Sequence, residues 1–261
     1  MSRVLPVLGS RRARHVVERN ALFYRSQWLM FASGFVEPLF YLLSIGIGLN
    51  HLVGSLTVGS HRVSYAAFVA PGMLATSAMN GAVIDSVFNP FFRLKISHAY
   101  DSILATPLDV DDIALGEALW ALTRAGLYAV SFVGCMFLLG DTSSPWAILE
   151  IVGALATSFA FSALGLAACT YLRSWQDFDL ITLVSLPLFL FSATFFPLSL
   201  YPRALATVVA FSPLYQSATL LRGLNSGQFD GWMILRLGYL VALGLVGLAV
   251  AARRFRRILS P

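Results

Sequence analysis

WAILEIVGALATSFAFSALGLAACTY, residues 146–171, holds a single charged side chain, Glu150. A helix of roughly 20 mostly apolar residues spans the hydrocarbon core of a bilayer, and this run is longer than that. Five more windows pass the same test, at about 28–50, 65–90, 112–139, 179–200 and 231–252. The expected fold is an all-α membrane protein of six transmembrane helices. It forms one transmembrane domain over residues 1–261, with no soluble domain.

Composition agrees. Of the 261 residues, 57% are hydrophobic and 12% charged, the latter about half the fraction usual in a soluble globular domain. A soluble fold of this length would still need a charged surface, and the charges here fall in a few short stretches. The net charge of +5 comes from 17 Arg and one Lys. A basic balance alone would also suit nucleic acid, but the placement of the charges favours a membrane surface and no nucleic-acid partner.

Lys and Arg are retained in cytoplasmic loops, so their count between spans gives an orientation. With both termini inside, thirteen fall on the cytoplasmic side and three (Arg62, Arg203, Arg222) outside, with Arg124 and Arg236 within spans. Cys135 and Cys169 lie in apolar runs, which argues against a structural disulfide or a metal site. The arginines at 11, 12 and 14 are not followed by the short apolar segment and cleavage site of a signal peptide.

Three connections carry more information than a linker needs. Over about 11–27, Ala13, Val16, Val17, Ala21, Phe23 and Tyr24 share one arc of a helical wheel, interrupted only by Asn20, with charges on the other arc. This predicts an amphipathic helix on the inner leaflet. The loop after the second span, from Arg93 to Asp111, should hold a short helix ended by Pro107, with Asp109, Asp111 and Asp112 capping the third span. The segment from Leu198 to Asp230 is outside yet apolar, which predicts re-entrant helices.

Catalytic chemistry is missing. The one lysine, Lys95, is followed by Ile96, so no phosphate-binding Gly-Lys-Ser/Thr loop exists, and no His-Glu-x-x-His occurs. No catalytic or metal-binding residue is assigned, and a lipid-modifying enzyme would need a convergent polar cluster that is not visible. Charges inside spans are costly and mark candidate substrate-route positions: Glu37 and Arg124 near the midplane, expected to pair, and Asp85 and Glu117 nearer the inner edge beside Arg93 and Lys95.

Several motifs resemble one family. They are Glu37-Pro38-Leu39-Phe40-Tyr41 with Gly46-Ile47-Gly48-Leu49, then Phe68-Val69-Ala70-Pro71-Gly72-Met73, and Tyr100-Asp101-Ser102-Ile103-Leu104-Ala105-Thr106-Pro107-Leu108. Leu115 to Ala121 and Phe191 to Pro197 extend the likeness over essentially the whole chain. The sequence resembles the type-2 ABC transporter permeases, in the branch of the nodulation-factor (lipo-oligosaccharide) and daunorubicin-resistance exporters. Ala193 stands where many relatives have Gly, which is expected to relax a backbone kink.

The resemblance implies a permease subunit of an ATP-driven exporter in a bacterial inner membrane, a location that the preference for Arg over Lys also suits. A second permease protomer and a separate ATP-binding subunit, which holds ATP and Mg, would complete it; this chain would bind no cofactor. Coupling to the ATPase would run through Arg93, Lys95, Tyr100, Asp101, Leu104 and Pro107, with Tyr100 and Asp101 in contact with it. The substrate would be amphipathic, a lipid-linked saccharide or a hydrophobic drug, along spans one, two and five. A proton-coupled secondary transporter using Glu37 or Asp85 is the alternative.

Overall fold

The computed structural model describes residues 13–26, 54–58 and 61–259 and the isolated positions 40, 43, 44 and 48. Apart from those four, the expected first span and its Glu37 lie outside the described residues.

The first described element is α1 (Ala13–Ser26). An antiparallel hairpin follows, β1 (Ser55–Val58) and β2 (His61–Ser64), with Ser55 opposite Ser64 and Val58 opposite His61. This hairpin is an addition to the all-helical expectation. It leads directly into α2 (Tyr65–Lys95), whose first turn is capped by the Ser64 hydroxyl accepting from the Ala67 N–H at 3.2 Å. The short α3 (Ala99–Leu104) then precedes α4 (Val110–Leu139). The acidic start of α4 works as expected, the Asp109 N–H donating to the Asp112 carboxylate at 3.0 Å. A left-handed Gly140 (φ 77°) closes α4.

One turn of 3₁₀ helix, Pro145–Leu149, leads into α5 (Glu150–Cys169). Next come α6 (Phe178–Leu190), α7 (Arg203–Phe211), α8 (Pro213–Ser226) and α9 (Gly231–Leu259). Among the described residues, four helices are long and apolar enough to cross a membrane: α2, α4, α5 with its lead-in, and α9. The α7–α8 pair passes the same test but is bent by 81°.

Central α5 packs on α2, α4, α8 and α9. Lipid supplies no hydrophobic drive between spans, so close van der Waals packing at small residues has to hold them. A Cβ at Gly247 of α9 would lie 2.9 Å from the Ala163 and Leu164 backbone of α5, so no other residue lets these helices approach so far. One apolar cluster (Phe68, Met79, Phe161, Leu214, Leu221, Leu240) fills the hairpin end of the bundle. Another (Leu94, Tyr100, Ile113, Leu166, Phe255) fills the opposite end, which carries α1, α3 and the C-terminal arginines and is called the basic end below.

The window expected to be a fifth span, 179–200, is α-helical only to Leu190, with a single 3₁₀ turn at Leu198–Leu200. Thirteen residues at 1.5 Å each give about 20 Å, short of the ~30 Å hydrocarbon core. Pro187 sits in the last turn, and beyond it the chain passes through a left-handed Ala193 (φ 55°) before Pro197. The expected relaxation of the kink at Ala193 does not occur. The alanine takes up the conformation that glycine would adopt more cheaply. Left-handed backbone costs a Cβ-bearing residue about 1–2 kcal/mol, and glycine's greater unfolded-state freedom returns about half of that. Ala193→Gly should therefore stabilise the protein by about 0.5–1 kcal/mol, measured as a higher midpoint of thermal unfolding in detergent; an unchanged or lower midpoint would contradict the strain at this position.

Candidate functional site

The basic end is organised around the Glu117 carboxylate of α4, only 5% exposed. Arg93, near the end of α2, donates from Nη1 to Oε1 in a short ion pair. Tyr100 of α3 donates its hydroxyl to the same oxygen at 3.1 Å, and Asn20 of α1 donates from Nδ2 to Oε2 at 3.2 Å. Arg19 adds its guanidinium at 4.0 Å. One carboxylate thus ties together four helices separated by up to 97 positions in sequence.

Local sequence explains why the groups converge. Gly116 precedes Glu117, and a Cβ there would lie 2.5 Å from Val16 and 3.0 Å from the Ala13 carbonyl, so α1 settles directly on α4. Ala13, Val16 and Asn20 are buried in that contact, while Ala21 and Phe23 on the rest of the apolar arc stay exposed. Asn20, which read as an interruption of the arc, is the polar residue that the arc delivers to Glu117. The signal was available: an amide on a face about to be buried needs a buried partner.

The short α3 begins at a left-handed His98 (φ 48°). Tyr100 points into the bundle, fully buried, with its ring edge-on to Phe255 of α9 at 5.9 Å. Burial, and then the neighbouring Glu117, push the Tyr100 phenol well above its usual pKa, so it stays a hydrogen-bond donor. The expectation that Tyr100 touches an ATPase is therefore corrected: a wholly buried ring held by Glu117 and Phe255 has no surface to offer. Arg93 is likewise turned inward to Glu117. Leu104 is half-buried on the same cluster, whereas Lys95, Asp101 and Pro107 are exposed, Asp101 lying 3.2 Å from the His98 ring. Ile96, 44% exposed, joins them at the surface.

The last turn of α9 closes this end. Arg256 grips Asp111 with both Nε, at 2.9 Å, and Nη2. Arg254 reaches the Thr170 carbonyl at 3.3 Å and lies over the Tyr171 ring at 4.1 Å.

Deeper in the bundle, Arg124 was expected to pair with Glu37, which lies outside the described residues. Its partner in the structure is Asp85 of α2, at 2.5 Å from Nη1, with Nη2 donating to the Tyr128 hydroxyl at 2.8 Å. Both side chains of the pair are about nine-tenths buried. Among the described residues no group of His, Cys, Asp and Glu could hold a metal ion.

Two measurements check this geometry. Glu117→Ala removes the acceptor that Arg93, Tyr100 and Asn20 share, and breaking a buried pair from one side costs about 3–5 kcal/mol, so a large drop in unfolding midpoint is expected in detergent. With Val16→Cys as a reporter, the same change should also increase labelling by maleimide. For Asp85→Asn and Arg124→Leu, a double-mutant cycle should give a coupling of about 1 kcal/mol or more; simple additivity would show that the pair contributes nothing jointly.

Comparison with known proteins places this architecture. Residues 13–224 match the family model described as ABC-2 type transporter. Nodulation protein J of Rhizobium leguminosarum bv. viciae is 34% identical over 250 residues, covering 93% of this chain and 94% of its own. Nodulation protein J of Rhizobium meliloti (strain 1021) is 30% identical over 248 residues, covering 94% and 93%. More distantly, the inner membrane transport permease YadH of Escherichia coli K12 is 26% identical over 171 residues, covering 64% and 65%. With its several apolar helices, this chain is a multi-pass membrane transporter subunit of the kind that works with an ATP-binding subunit, and it belongs to the ABC-2 type transporter family.

Proposed function

We propose that this chain is the permease of an ATP-driven exporter that moves an amphipathic substrate, such as a lipid-linked saccharide or a hydrophobic drug, out across a bacterial inner membrane. The reading is supported above all by the junction at Glu117. A helix in a loop, α3, is bonded through one carboxylate to an amphipathic helix and to two spans. A force applied to its outer face reaches α1, α2 and α4 together, because the four share a single buried acceptor.

In this reading the basic end faces the cytoplasm, α1 lies on the inner leaflet, and both termini are inside. Six crossings result when the window 28–50 and the broken fifth segment are counted with the four long helices. The α7–α8 bend is then a re-entrant loop in the outer leaflet. The ATP-binding subunit holds ATP and Mg and meets the exposed side of α3 at Lys95, Ile96, Asp101 and Pro107. A second permease protomer, the same or related, closes the route beside α6, whose Leu180, Leu183 and Val184 stand 57%, 68% and 61% exposed. The Asp85–Arg124 pair lies along α2 and α4 on the way.

Co-expression with a candidate ATP-binding subunit and purification through a tag on this chain tests the proposal. Wild type should retain a stoichiometric, active ATPase, and Asp101→Arg should reduce it about tenfold while leaving the unfolding midpoint unchanged. If no ATPase accompanies the wild-type chain, proton-coupled transport through Asp85 takes the place of this reading.

A further inference from the structure

A cavity of about 420 Å³ opens at the hairpin end of the bundle, between the start of α2, the turn at Pro197, α8 and the first turns of α9. Arg222 of α8 lies in its wall, and backbone carbonyls hold its guanidinium through Nε and Nη2. Nε donates to the Phe68 carbonyl at 3.0 Å, and Nη2 donates to the carbonyls of Ala193 and Thr194 at 2.7 and 2.8 Å. The Phe68 ring covers one face, 4.0 Å from Cζ. Three carbonyl dipoles and a ring fix the group, yet none carries a full negative charge. Among the described residues no carboxylate lies within 4.0 Å of it, and Nη1 has no hydrogen-bond acceptor.

Two other charges line the cavity, and they offset each other. Asp230 lies 3.6 Å from Arg236 and also accepts the Met233 N–H at 2.9 Å, at the start of α9. The lining therefore keeps one uncompensated positive charge, preorganised and part-buried, with Tyr215, Asn225 and Gln228 as further hydrogen-bonding groups on the walls. A planar guanidinium with a free N–H edge matches an oxyanion better than any neutral ligand. We infer that this cavity binds a phosphate-type oxyanion, carried by a lipid headgroup or free in solution, with Arg222 as its primary donor. The inference does not depend on which partner drives transport.

The test uses the full-length chain in detergent, with calorimetric titration of inorganic phosphate in one arm and dihexanoyl phosphatidic acid in the other, against dihexanoyl phosphatidylcholine as control. Arg222→Gln should weaken binding at least tenfold. Because Arg222 also holds the backbone at Ala193 and Thr194, loss in that variant alone could reflect misfolding. Asp230→Asn keeps a side chain able to cap α9 but removes the offsetting negative charge, and should tighten binding about threefold. Binding in the phosphate arm identifies a soluble anion site, and binding in the phosphatidic acid arm alone identifies a headgroup site. No binding in either arm, or affinity indifferent to both variants, overturns the inference.

Discussion

A buried carboxylate with several donors is a constraint before it is a source of stability. Glu117 would be costly alone at 5% exposure, and its burial is tolerable only while Arg93, Tyr100 and Asn20 stay on it. Each donor comes from a different helix, so none can move far without leaving a charge or a polar group unsatisfied. The basic end therefore behaves as one body, and α3, only six residues long, acquires a rigidity it could not have by itself.

The opposite end is built on a different principle. Arg222 takes backbone carbonyls in place of a carboxylate, and two of the three, at Ala193 and Thr194, are free because the backbone has left the helical ladder after Leu190. A broken helix in lipid exposes unsatisfied acceptors, and a side chain from α8 satisfies them. The break and the buried arginine thus explain each other. The positive charge that this solution leaves over distinguishes it from the closed junction at Glu117.

Much of this was legible in the chain. Four of the six apolar windows are continuous helices in the structure because hydrophobicity over some 20 residues is a robust signal, indifferent to packing. The acidic run at 109–112 announced the start of α4 for the same local reason. What could not be read were the pairings. By depth Arg124 was matched to Glu37 and Asp85 was placed nearer the inner edge, and only the helix arrangement brings Asp85 onto Arg124. Tyr100 looked like a surface residue because a helix of six residues has no periodicity from which to read its inward face. The window 179–200 did not announce its break, because the same apolar composition serves a continuous and a broken helix, and Pro187 was too weak a warning against the run around it.

The contact between Tyr100 and Phe255 joins residues 155 positions apart, and it closes at the chain's far end. During synthesis the seat of α3 stays open until the final turns of α9 have emerged, because Phe255 completes it. A polypeptide cut before Phe255 would keep α2, α4, α5 and most of α9 yet leave the Tyr100 ring without its aromatic neighbour. Such a product differs from the finished one at α3 itself, so the seating of this short helix depends on the completion of α9.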